Sequence, residues 1–166
     1  MEESTISLTV SVVALIVALV SLLRPPKKEK KTAADNFNSV PLQLQAYERL
    51  VLLTERISLP SLISRTTQPN LSAQELQVHL NETIKQEFEY NAAQQIYVTP
   101  IAWEAVRNLR DQNMLIINQV ANLLPPDATG SELAKAVLEV IMQQQDAALH
   151  TIVLNAINFE AKKLMQ

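Results

Sequence analysis

Hydrophobic residues follow two different patterns along this chain. Residues 6–23 form 18 positions without a formal charge, dominated by Leu, Val, Ile and Ala and apolar on every side of a helix built from them. At 1.5 Å per residue such a helix extends about 27 Å, close to the hydrocarbon thickness of a bilayer. Ser7, Thr9, Ser11 and Ser21 dilute the stretch, but short hydroxyls bond back to helical carbonyls at little cost. From residue 40 onward apolar positions recur three and four apart, the pattern of amphipathic helices that each bury one stripe. The expected fold class is all-α: one N-terminal transmembrane helix plus a small antiparallel helical bundle.

Capping and breaking residues divide the second region. Pro41 suits a first turn with Ser39 as cap, and Leu44, Tyr47, Leu50, Val51 and Ile57 then recur at helical spacing to about Ser58. Ser58 is expected to cap a short second helix carrying Pro60 in its first turn and ending before Pro69. Ser72 and Glu75 form a capping box, stapled by Leu71 and Leu76. It opens a helix to about Ala92 whose inner stripe is Leu76, Leu80, Ile84 and Phe88. Thr99 and Pro100 open the next helix, with Ile101, Ala105, Val106, Leu109, Ile116, Val120 and Leu123 facing inward, and Pro125 and Pro126 stop it. Thr129 and Glu132 make a second box. Leu133, Val137, Val140, Ile141, Ile152 and Ile157 then carry one long final helix, bending near residues 143–146 where the stripe is interrupted. Three long helices and one or two short ones are thus expected to pack up and down.

Charge sets the expected topology. Glu2 and Glu3 precede the apolar stretch, while Arg24, Lys27, Lys28, Lys30 and Lys31 follow it against Glu29 alone, a local net charge of +4. The positive-inside rule places the N-terminus outside and the remainder in the cytoplasm. A cleaved signal peptide would need a basic start and a small-x-small site, where this chain has an acidic start and Pro25 and Pro26. A buried core helix would carry a stripe rather than apolar residues all round. The expected organisation is a short extracytoplasmic N-terminus (1–5), a span (6–23), a basic juxtamembrane linker (24–39) and a cytoplasmic bundle (40–166). The basic run reads as a topology signal beside anionic headgroups rather than as recognition of a particular lipid.

Composition narrows the chemistry. One glycine, Gly130, leaves no material for Gly-rich phosphate loops, and the absence of cysteine removes disulfides and thiolate ligands. From Thr32 onward the net charge is −5, so no nucleic acid is expected as partner. A dimetal site of the helical-bundle kind needs Glu-x-x-His pairs. His79 follows Glu75 by four and precedes Glu82, and His150 has no glutamate three residues before it. No metal, cofactor or catalytic residue is therefore expected. Glu104, Arg107 and Asp111 stand at the spacing of a solvated helix face. The aromatics are few, and Tyr97 and Trp103 gather at an interhelix corner with Tyr47 placed at the opposite end. These three are the candidate partner surface, with core packing as the competing reading.

Two blocks carry a resemblance: Pro41 to Leu50 continuing through Thr54, Glu55, Arg56 and Ile57, and Gln86 through Tyr90 to Val98 running on to Ala102 and Trp103. Over roughly residues 40–165 they resemble an uncharacterised family of single-span, membrane-anchored helical proteins from Bacteroidota. The resemblance implies a bacterial inner-membrane location and carries no activity. A histidine is common in that family where Tyr90 stands here. The function expected is a membrane-tethered interaction or assembly subunit, partnered by the lipid bilayer and by another protein or a second copy. The alternatives are a small membrane-associated enzyme or ligand-binding bundle, and a self-associating structural protein.

Overall fold

The structure, a computed structural model, describes residues 38–144 and 147–166. The expected span 6–23 and the basic flank Arg24, Lys27, Lys28, Lys30 and Lys31 lie outside the described residues. Among the described residues no helix is long and apolar enough to cross a membrane. Residues 38–166 form one compact unit. It is all-helical: α1 (Val40–Ile57), α2 (Leu59–Thr66), α3 (Ala73–Tyr90), a 3-10 turn (Ala92–Ile96), α4 (Pro100–Leu123), α5 (Gly130–Gln144) and α6 (Ala147–Lys163).

Helix α4 is the hub, packing against α1, α3, α5 and α6, while α6 also lies along α1. α3 and α4 run antiparallel: Gln77 and Asn81 meet Asn118 at one end, and Phe88 meets Trp103 at the other. α1 runs alongside α4 in the same direction, since Tyr47 meets Thr99 and Ile57 meets Asn113. The long helices α1, α3 and α4 therefore alternate in direction as expected, with the short α2 lying between α1 and α3. Leu50, Leu53, Ile57, Leu62, Leu76, Leu80, Ile84, Ile117, Leu133 and Ile157 are fully buried in one core.

The expected stripe of α3 is buried in full, but three other residues expected inside are exposed: Ile101 (74 %), Leu123 (86 %) and Ile152 (61 %). α4 buries Ala102, Val106, Leu109, Asn113, Ile116 and Val120, so Ile101 lies off that stripe and Leu123 lies beyond its end. The expected long final helix is described as two helical stretches, α5 and α6, on either side of residues 145–146, which lie outside the described residues; the buried positions of the two do not share one stripe. Ile152 would continue the stripe of Leu133, Val137 and Ile141, but α6 turns Val153 and Ile157 inward.

The caps show where neighbours override local preference. Ser72 Oγ accepts from Glu75 N at 3.2 Å and Glu75 Oε2 accepts from Ser72 N at 2.9 Å, the expected box. Thr129 and Glu132 repeat it at 3.3 and 2.7 Å. Each glutamate accepts from the backbone N–H of its capping residue and then from that residue's hydroxyl, which lowers both carboxyls below their ordinary range. Ser39 and Ser58 do not cap with their side chains as expected. Val40 N donates to Asn38 Oδ1 at 3.0 Å, and Ser58 Oγ donates to Glu55 O at 2.9 Å, serving the end of α1 instead of the start of α2.

The two boxes are joined. Ala73 N donates to Ala128 O at 2.9 Å and Gly130 N to Leu71 O at 2.7 Å, an isolated antiparallel bridge between Ser72 and Thr129. A Cβ on Gly130 would stand 3.1 Å from Leu71 O and 3.3 Å from Leu71 Cβ. The single glycine therefore serves this close approach, which clamps the N-termini of α3 and α5 together.

Candidate functional site

Helix α3 ends because Asn91 turns its amide back on the helix: Nδ2 donates to Glu87 O at 2.8 Å, satisfying a terminal carbonyl. The 3-10 turn then carries the chain round to Thr99, whose hydroxyl accepts from Ala102 N at 3.2 Å and starts α4. Tyr47 holds this corner from α1. Its phenol oxygen accepts from Thr99 N at 3.1 Å. Beside it the Phe88 and Trp103 rings lie 4.8 Å apart and tilted by 37°, with the Arg110 guanidinium 4.2 Å from the Phe88 centroid on its own.

The structure thus gathers all three candidate aromatics at one corner, where Tyr47 was expected at the opposite end. Tyr47 and Trp103 are buried there and act as packing residues, while Tyr97 is 40 % exposed. What the corner presents outward is a different set, Tyr90, Ile96 and Ile101 together with Tyr97. Sequence reading missed Tyr90 and Ile96 as surface residues. The signal available was that neither falls on the stripe of Leu76, Leu80, Ile84 and Phe88.

A groove of about 490 Å³ opens between α1 and α3, lined by Arg49, Leu52, Arg56, Glu87 and Tyr90. Leu52 is 61 % and Tyr90 77 % exposed. Glu87 is the electrostatic pivot. Arg56 Nε donates to it at 2.7 Å, Arg56 Nη2 also pairs with it, and Arg65 Nη1 stands 3.9 Å away. The bond and the charge of Glu87 raise the Arg56 pKa further. Arg65 Nη2 also donates to Arg56 O at 2.6 Å, which ties α2 to α1. Two guanidiniums stand at this carboxylate and Arg49 lines the same groove, so the groove's charged lining is Arg49 and Arg56 against Glu87, although the chain as a whole is acidic.

A second, smaller cleft of about 220 Å³ has Leu59, Leu109 and Ile116 among its walls, with Gln112, His150 and Thr151 among its polar groups. His150 Nε2 is buried without a hydrogen-bond partner, and Glu55 Oε2 lies 3.6 Å from it, an ion pair only when the imidazole is protonated. His79 is exposed on α3. Among the described residues no three His, Asp or Glu side chains gather at metal-binding separation. Arg107 pairs with Glu104 at 3.0 Å on the solvated face, whereas Asp111 pairs with Arg110 at 2.6 Å rather than with Arg107.

The fold and these surfaces define a helical domain with an exposed apolar corner and an arginine-lined groove. The chain belongs to the family described as a family of unknown function (DUF7935), whose model matches residues 3–164. The matched range includes both the apolar stretch 6–23 and the helical domain. No curated protein and no solved structure matches the chain.

Proposed function

We propose that this chain is a single-span, membrane-tethered interaction module of the bacterial inner membrane. Its cytoplasmic helical domain docks a partner protein, as an accessory or assembly subunit does. The tether is supported by the apolar run 6–23 with its one-sided basic flank. The observation that carries the docking role is the α1–α3 groove, where Leu52 and Tyr90 stand open to solvent beside Arg49 and Arg56. Tyrosine and arginine are among the residue types enriched at the hot spots of protein interfaces, and Leu52 adds apolar area beside them. The complementary partner is a segment offering an apolar side chain next to a carboxylate.

Purification of the full chain from native membranes in mild detergent tests this. A stoichiometric partner should accompany the wild type and be lost from a Leu52→Glu, Tyr90→Glu variant that keeps its helicity. A chain that stays in the soluble fraction after lysis, or a partner retained by the variant, argues against the reading. The same preparation separates docking from self-association, because mass measurement in detergent shows a second copy directly.

One observation favours a second reading, that of a small ligand-binding bundle. The cleft between α2, α4 and α6 pairs apolar walls with the unpartnered His150 Nε2. Under that reading small apolar acids raise the melting temperature of the wild type and leave a His150→Leu variant unmoved. Equal shifts in both argue against it.

A further inference from the structure

The corner that follows α3 exposes apolar surface at the end of the domain where the chain enters. Ile96 and Ile101 are each 74 % exposed, with Tyr90 (77 %) and Tyr97 (40 %) near them in the chain. From Tyr90 to Trp103 no residue carries a formal charge. Scattered exposed apolar residues are ordinary on soluble surfaces. Three of them, Ile96, Tyr97 and Ile101, fall within six residues, across the 3-10 turn and the first turn of α4.

Its position in the fold gives the patch an occupant. Asn38 and Ser39 lead directly into α1, and α1 packs against the 3-10 turn and bonds to Thr99 through Tyr47. The patch is therefore at the entry end of the domain. Residues 24–37 are fourteen in number and reach at most about 50 Å when extended, so in a chain whose residues 6–23 span a bilayer this end stays within that distance of the lipid and is the part of the domain most directly tied to it. Isoleucine with tyrosine is also what the headgroup boundary selects: an apolar body for the acyl edge and a polar tip for the headgroups. The acidic balance of the domain disfavours anionic lipid; of the two glutamates that flank the uncharged stretch, Glu89 and Glu104, the second is paired with Arg107.

We propose that the Ile96–Tyr97–Ile101 corner seats in the headgroup region of the bilayer, giving the domain a second, non-covalent membrane contact. The proposal rests on the membrane tether argued above. The seating is driven by apolar burial, so it persists at high salt and needs no anionic lipid.

The chain has no cysteine, so a single introduced one takes a polarity-sensitive fluorophore at a unique site. The full chain carrying Ile96→Cys is reconstituted into phosphatidylcholine vesicles and compared with Leu123→Cys, an exposed residue at the far end of α4. The expected result is co-flotation of both, with blue-shifted emission quenched by headgroup-proximal brominated lipid at position 96 only. Co-flotation with aqueous emission at both positions overturns the corner contact and leaves the tether standing. A blue shift at position 96 in native membranes but not in pure lipid also overturns it, because the cover is then a protein. Failure to float at all overturns the tether and the corner together.

Discussion

Single residues in this domain matter most where one backbone needs another. Asn113 occupies a buried position on the apolar stripe of α4, between Leu109 and Ile116, and donates Nδ2 to Ile57 O at 2.7 Å. That carbonyl belongs to the last turn of α1, where no helical amide follows to satisfy it. Replacing Asn113 with Leu keeps the heavy-atom branching and removes the donor, so stability should fall by about 1–3 kcal/mol in urea denaturation. An unchanged midpoint would mean that water reaches the carbonyl. Gly130 is constrained differently, because the Leu71 oxygen a Cβ would crowd is the acceptor of its own N–H. Gly130→Ala gains little helix propensity at a first-turn position and must push that oxygen away. It should destabilise by about 1 kcal/mol, read from the same denaturation curves. Neither role was legible in the sequence: a periodicity reading passes over a polar residue on the stripe, and a glycine inside a capping box looks like an ordinary first-turn residue.

At the scale of elements, the capping signals were the most legible part of the chain because they act within four residues. The boxes at Ser72 and Thr129 and the Thr99 cap all formed where the sequence placed them. What stayed hidden is non-local. Nothing near Ser72 announces that its box abuts the one at Thr129, and nothing near Tyr47 places it beside Thr99. Residues 92–96 gave no periodic signal because a 3-10 turn buries no stripe. Of the surfaces, only Tyr97 was found in advance; the groove depends on how α1 crosses α3, which periodicity does not encode. The boxes also carry a pH dependence. Glu75 and Glu132 are held below their ordinary carboxyl range in the folded chain and return to it on unfolding. As pH falls through that range the unfolded state takes up protons first, so stability drops. The contribution is complete above the ordinary value and lost once pH passes below the folded one. Urea midpoints followed from neutral to acid pH should fall more steeply for the wild type than for a Glu75→Gln, Glu132→Gln variant. Parallel curves would show that the carboxylates are not so engaged.

For the whole molecule, the order of the helices in sequence and in space has a mechanical consequence. The first helix of the domain packs against the last, and α6 also lies on the hub helix α4, placing Val153 and Ile157 in the core. The domain is therefore closed only when its C-terminal residues arrive. Burying those two side chains alone contributes roughly 1.5–3 kcal/mol each. That is a large share of the 5–15 kcal/mol or so by which a domain of this size is stable. A chain cut after residue 146 should keep helical circular dichroism from its locally capped helices but lose the sharp thermal transition of the full-length protein. A cooperative melt in the truncated chain would mean that α6 is an accessory and not the closing element. Under the tether reading this order also separates two events in time, since residues 6–23 are available to the bilayer long before α6 exists. The domain then folds with its entry end already held at the membrane, and Ile96, Tyr97 and Ile101 meet lipid as soon as the 3-10 corner forms.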